Sequence, residues 1–75
     1  MTFLEEGGKM TNLSKYRILR GLTQSQLALA AGINKHTVSL YERGERKINN
    51  ASAETILRFS KALSCSMEDL METDE

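Results

Sequence analysis

Seventy-five residues with ten basic and ten acidic side chains make one small domain at most. One cysteine and one histidine exclude an internal disulfide and a Cys/His zinc set, and no nucleophile–base pair, metal set or phosphate loop marks an enzyme. No apolar run nears the roughly 20 residues that cross a bilayer, so the expectation is a soluble, cytoplasmic chain with no metal, cofactor or small-molecule ligand.

Residues 1–10 read as a flexible N-terminal lead. Gly7-Gly8 break any periodicity, Glu5-Glu6 stand where a signal peptide would be basic, and Met10 offers a second start. The domain itself is expected over 11–71, followed by an acidic tail at 72–75. A first helix runs from Thr11 or Asn12 to Arg20, with Leu13, Tyr16 and Arg17 on one face and Gly21 ending it. The second opens at Thr23, whose partner Gln26 three residues on completes a capping box. Leu27, Ala28 and Ala31 form its inner face, and the small alanines allow another helix close. Only Gly32, Ile33 and Asn34 separate it from a third helix that Asn34 caps and Gly44 ends. So short a joint forces a sharp crossing, as in a helix-turn-helix. Residues 45–51 read as a polar loop anchored by Ile48. Ser52 caps a fourth helix, with Ile56, Leu57, Phe59, Ser60 and Leu63 available for packing. Ser66 and Asp69 form a second capping box, opening a short fifth helix through Leu70. The expected fold is all-α: a compact five-helix bundle.

Charge is unevenly spread. Residues 9–47 carry eight basic against two acidic side chains, while residues 48–75 carry two against six. A basic middle with an acidic end can lay one face on a polyanion and keep the other away from it. The third helix sharpens this. Thr37, Val38 and Tyr41 share one side, and Lys35, His36, Ser39, Leu40 and Arg43 spread over the other. In a major groove lysine can bond guanine, serine can serve either role, and leucine can touch a thymine methyl.

The string "LTQSQLALAAGINKHTVSLYERGER" resembles the helix-turn-helix of the Cro and phage-repressor family of bacterial DNA-binding proteins. "GLTQ" before the second helix, "LA" within it, the turn glycine, "TVS", "YERG" and the closing "ALSCSMEDL" carry the likeness, which covers Leu13 to Leu70. It implies a lambda-repressor-like domain that binds double-stranded operator DNA, commonly as a homodimer. Position by position it implies base contacts at Lys35, His36, Ser39 and Leu40. Gln24, Thr37, Arg43, Arg46 and Lys47 are the expected phosphate contacts, and Arg17 with Glu42 the expected structural ion pair. Two departures stand out: the loop from Gly44 to the fourth helix is longer than usual, and Ser64-Cys65 replace the glycine of the usual "LG" step.

The leading functional expectation is a sequence-specific transcriptional regulator: a small repressor reading an inverted repeat through its third helix, nucleoid-associated through its DNA. Phage repressor, restriction–modification controller and antitoxin are variants of it. The alternative is a protein-interaction module, antitoxin-like, with little DNA binding of its own; the retained Arg43, Arg46 and Lys47 argue against that. His36 has no second ligand for a metal site and no partner for catalysis, and Cys65 reads as a small core filler. Met67, Leu70 and Met71 serve either the core or a dimer interface.

Overall fold

The computed structural model describes residues 10–73. The expectations for residues 1–9, and for Asp74 and Glu75 of the tail, lie outside the described residues. Within them the chain forms α1 (Asn12–Leu19), α2 (Gln24–Ala31), α3 (Lys35–Glu42), α4 (Ala53–Leu63) and α5 (Met67–Leu70). A single turn of 3-10 helix, Ile48–Asn50, interrupts the α3–α4 loop, and no described residue is in a strand.

Each of these five helices is opened by a short polar side chain that accepts from a backbone amide of the first turn, as orphan N–H groups require. Thr11 accepts from the Ser14 amide, Asn34 from His36 and Ser52 from Thr55. Thr23 with Gln26 and Ser66 with Asp69 close full capping boxes. The end of α4 departs from habit. Ser64 takes φ 55°, ψ 48°, the left-handed conformation in which glycine is the usual occupant.

α2 packs on α3 and α4; α1 packs on α3, α4 and α5, and α4 on α5. Leu13, Leu27, Val38, Phe59, Leu63 and Leu70 are fully buried at the centre. Ala28 and Ala31 are buried where α2 meets its neighbours. Tyr41 meets Phe59 edge to face, with ring centroids 6.0 Å apart, a favoured aromatic geometry. Ile48 is buried and anchors the long loop. Ser60 is also buried, its hydroxyl donating to the Leu57 carbonyl at 2.9 Å.

Two residues of the expected packing faces are less buried than their neighbours. Leu57 faces outward, 41% exposed, because its neighbours Ile56 and Phe59 occupy the inward face of α4. Tyr16 is half-buried: it packs at the edge of the core, and the Arg20 guanidinium lies 5.8 Å from its ring centroid.

Candidate nucleic-acid interface

The joint between α2 and α3 sets the angle at which α3 is presented. Gly32 adopts φ 70°, ψ 35°, and the Ile33 amide reaches back to the Ala28 carbonyl at 2.9 Å. That closure satisfies carbonyls at the end of α2 and turns the chain sharply. A Cβ at residue 32 would lie 2.8 Å from Nη1 of Arg58, whose flexible end could shift, so the positive φ is what favours glycine here. That guanidinium donates to the Ala31 carbonyl at 3.3 Å, so α4 caps α2. Nothing in the sequence pattern points to Arg58.

The last turn of α3 is tied to α1 and α2 through Glu42. Arg17 Nε donates to Glu42 Oε2 at 2.6 Å and Arg17 Nη2 to Oε1 at 3.1 Å. The two side chains are 17% and 5% exposed. Arg17 Nη1 also donates to the Leu22 carbonyl at 2.8 Å. Gln24 Nε2 donates to Glu42 Oε1 at 3.0 Å, and the Ser14 hydroxyl lies 3.4 Å from the same oxygen. The Thr11 hydroxyl donates to the Glu42 carbonyl at 3.2 Å. A carboxylate this enclosed is tolerable because several donors surround it. Gln24, expected on phosphate, is therefore fixed by Glu42, with one amide hydrogen left for an outside acceptor.

The opposite side of α3 is polar. Lys35 and His36 are exposed, Thr37 and Ser39 half-buried, and Val38 and Tyr41 turn into the core. Leu40, on the side opposite Val38 and Tyr41, is half-buried. The chain folds back over this turn, where the Glu45 and Arg46 amides both donate to the Leu40 carbonyl, at 3.0 and 3.2 Å.

The basic side chains are not equivalent. Arg43 donates through Nη1 to the Ser39 hydroxyl at 2.7 Å, and through Nε and Nη2 to the Glu45 carboxylate at 3.0 and 3.3 Å. Its guanidinium, by hydrogen bond and by charge, holds the exposed Glu45 carboxyl below its ordinary range. The Arg46 guanidinium lies 5.8 Å from the Tyr41 ring centroid. Lys35 and Lys47 are exposed and make no ion pair among the described residues. The structure thus groups Lys35, His36, Ser39 and Leu40 on α3, sets Arg43 at its C-terminal cap, and carries Arg46 and Lys47 on the loop that follows. Glu45 joins them unexpectedly, although the alternation of sign in "ERGER" is its signal.

Away from this face, Cys65 is half-buried beside the core. Burial, and then the Asp69 carboxylate, push its thiol pKa up, with Arg20 opposing weakly. Arg20 closes the end of α4 by donating to the Leu63 and Ser64 carbonyls at 2.6 and 3.1 Å. No described helix is long and apolar enough to cross a membrane. No group of three or more metal-ligating side chains gathers among the described residues.

Comparison with known proteins agrees with this geometry. A family model described as helix-turn-helix matches residues 13–70. The restriction-modification controller protein C.AhdI from Aeromonas hydrophila is 33% identical, with a TM-score of 0.71 over 80% of this chain and 86% of that one. The N-terminal DNA-binding domain of SinR from Bacillus subtilis is 28% identical, with a TM-score of 0.72 over 84% of this chain and 88% of that one. No curated protein matches the chain.

Proposed function

Because the chain belongs to the helix-turn-helix family of DNA-binding regulators, we propose that it is a small repressor that reads an inverted-repeat operator as a homodimer. The observation that carries the reading is the division of α3. Its apolar side is locked into the core by Val38 and Tyr41, its end is pinned by Glu42, and its polar side is left to solvent. A helix held this firmly presents its outward side chains in fixed directions, as base recognition requires. Lys35, His36, Ser39 and Leu40 are the proposed base contacts. Gln24, Thr37, Arg43, Arg46 and Lys47 are the proposed phosphate contacts, which set register and affinity without reading sequence.

A domain of this size offers one reading head, and an inverted repeat needs two. The two α3 helices of the dimer would then lie about 34–36 Å apart, one turn of duplex. Among the variants of this function, the 33% identity to a restriction-modification controller supports a controller of that type.

The test is selection of bound duplexes from a random pool by the full chain. A recovered inverted repeat, protected over two half-sites, is the expected result. A pool that gains no common sequence would leave the fold without the proposed readout and favour an interaction module instead.

A further inference from the structure

The loop between α3 and α4 carries Arg46 and Lys47 and is long for the joint it makes. A loose loop would have to be ordered when DNA binds, at a cost in affinity. Near α3 it is fastened by the two amides on the Leu40 carbonyl, by Arg46 over Tyr41 and by buried Ile48. Its far end is fastened differently. Asn49 Nδ2 donates to the Glu72 carbonyl at 2.7 Å, and the Glu72 amide donates to Asn49 Oδ1 at 2.8 Å. One side chain thus pairs with both backbone groups of a residue beyond the last helix. Glu72 is in turn tied to the start of α1. Its Oε2 accepts from the Asn12 amide at 2.6 Å, and the Asn12 side chain donates to the Met71 carbonyl at 2.7 Å.

We infer that Asn49 is a positioning residue for DNA binding: clamped on Glu72, it holds the basic loop so that Arg46 and Lys47 are set in advance for phosphate. The inference rests on the proposed DNA-binding reading. Asn49 is exposed and uncharged, and both ends of its amide are engaged within the chain. It acts through the loop, not by contact with the nucleic acid. Ile48, Tyr41 and Leu13 are buried in the core, while the Asn49–Glu72 bonds lie on exposed side chains and backbone, so the clamp is expected to govern the loop more than the fold.

The experiment measures binding of the full chain to a random-sequence duplex at several salt concentrations, beside thermal unfolding. Asn49→Ala is expected to weaken binding about tenfold and to lower the salt slope by about one unit for each phosphate the loop no longer reaches. Glu72→Pro, which removes the amide donor, should do the same relative to Glu72→Ala, which keeps it. The double variant Asn49→Ala/Glu72→Pro should be no weaker than Asn49→Ala/Glu72→Ala, because with Asn49 gone the Glu72 amide has no clamp left to lose. Adding the stabilising change Ser64→Gly to Asn49→Ala should leave the lowered slope in place. Wild-type affinity and slope in Asn49→Ala would overturn the inference, and so would recovery of both by Ser64→Gly, which would mark a purely structural role. A wild-type chain that bound no duplex would remove the DNA-binding reading itself, and the inference with it.

Discussion

Replacing Ser64 by glycine should stabilise the protein. Ser64 holds φ 55°, ψ 48° at the end of α4, a conformation that costs an L-residue roughly 1–2 kcal/mol. Glycine escapes that cost but adds roughly 0.5–1 kcal/mol through the freedom it gives the unfolded chain. None of the bonds that define the turn uses the Ser64 side chain. The Cys65 amide donates to the Ser60 carbonyl at 3.1 Å, and Arg20 donates to the Leu63 and Ser64 carbonyls. All survive the substitution, and the side chain that is removed is exposed. The difference is a gain of up to about 1.5 kcal/mol, with a middle value of about 0.75 that in a domain of this size raises the unfolding midpoint by about 3–6 °C. Thermal unfolding followed by far-ultraviolet circular dichroism measures it, with Ser64→Ala as the control that keeps the strained backbone. Equal or lower midpoints for Ser64→Gly would refute the reasoning, as would an equal gain in Ser64→Ala.

The remaining predictions concern the core, the hub and the reading face. Ala28→Leu should overpack the crossing of α2 with α3 and cost about 1–3 kcal/mol in urea unfolding. Glu42→Ala, which strands Arg17 and frees Gln24, should cost about 3–5 kcal/mol by the same measure. Glu45 is exposed, and Arg43 depresses its pKa below the ordinary 4.5; its contribution is complete above that value and lost as pH falls through the lower, folded one. The midpoint of wild type minus that of Glu45→Gln should therefore be positive at pH 7 and shrink to zero in acid; a difference that grows on acidification would show the sign to be wrong. On DNA, Lys35→Ala should cost about 1–3 kcal/mol and relax preference at one base position. Lys47→Ala should weaken operator and scrambled duplexes alike and lower the salt slope by about one unit. The opposite pattern in those titrations would mean the two groups of residues had exchanged roles.

Local chemistry makes most of the fold legible. Thr23 with Gln26, Ser66 with Asp69, and Gly32 act within a few residues of themselves, so their spacing alone marks helix ends. The inward side of α3 is legible for the same reason, since period fixes Val38 against Lys35 and His36. What escapes is long-range or depends on the returning chain. The bonds from the Glu45 and Arg46 amides to the Leu40 carbonyl belong to a loop whose path no periodicity encodes. Asn49 and Glu72 are 23 residues apart and pair side chain to backbone, which leaves no pattern in the sequence. Gln24 is held by Glu42 only because α2 and α3 cross at the angle that Gly32 permits.

A chain with no net charge is an unexpected ligand for a polyanion, and the structure shows that even its basic half is less positive outward than its composition implies. Arg17 spends its charge on Glu42, Arg43 shares its own with Glu45, and Arg20 closes the end of α4. Around the proposed reading face, Lys35, Arg46 and Lys47 remain outside ion pairs among the described residues. On the proposed reading, only Arg43, Arg46 and Lys47 are cations on phosphate, which gives one head a salt slope of roughly 3, against about twice that for a dimer on a full site. Weak non-specific attraction is then an advantage for discrimination, because competing sequences are held by phosphate contacts alone. It also makes each remaining contact matter more, so that in the proposed complex affinity would come from two heads acting together and from a loop already in place when DNA arrives.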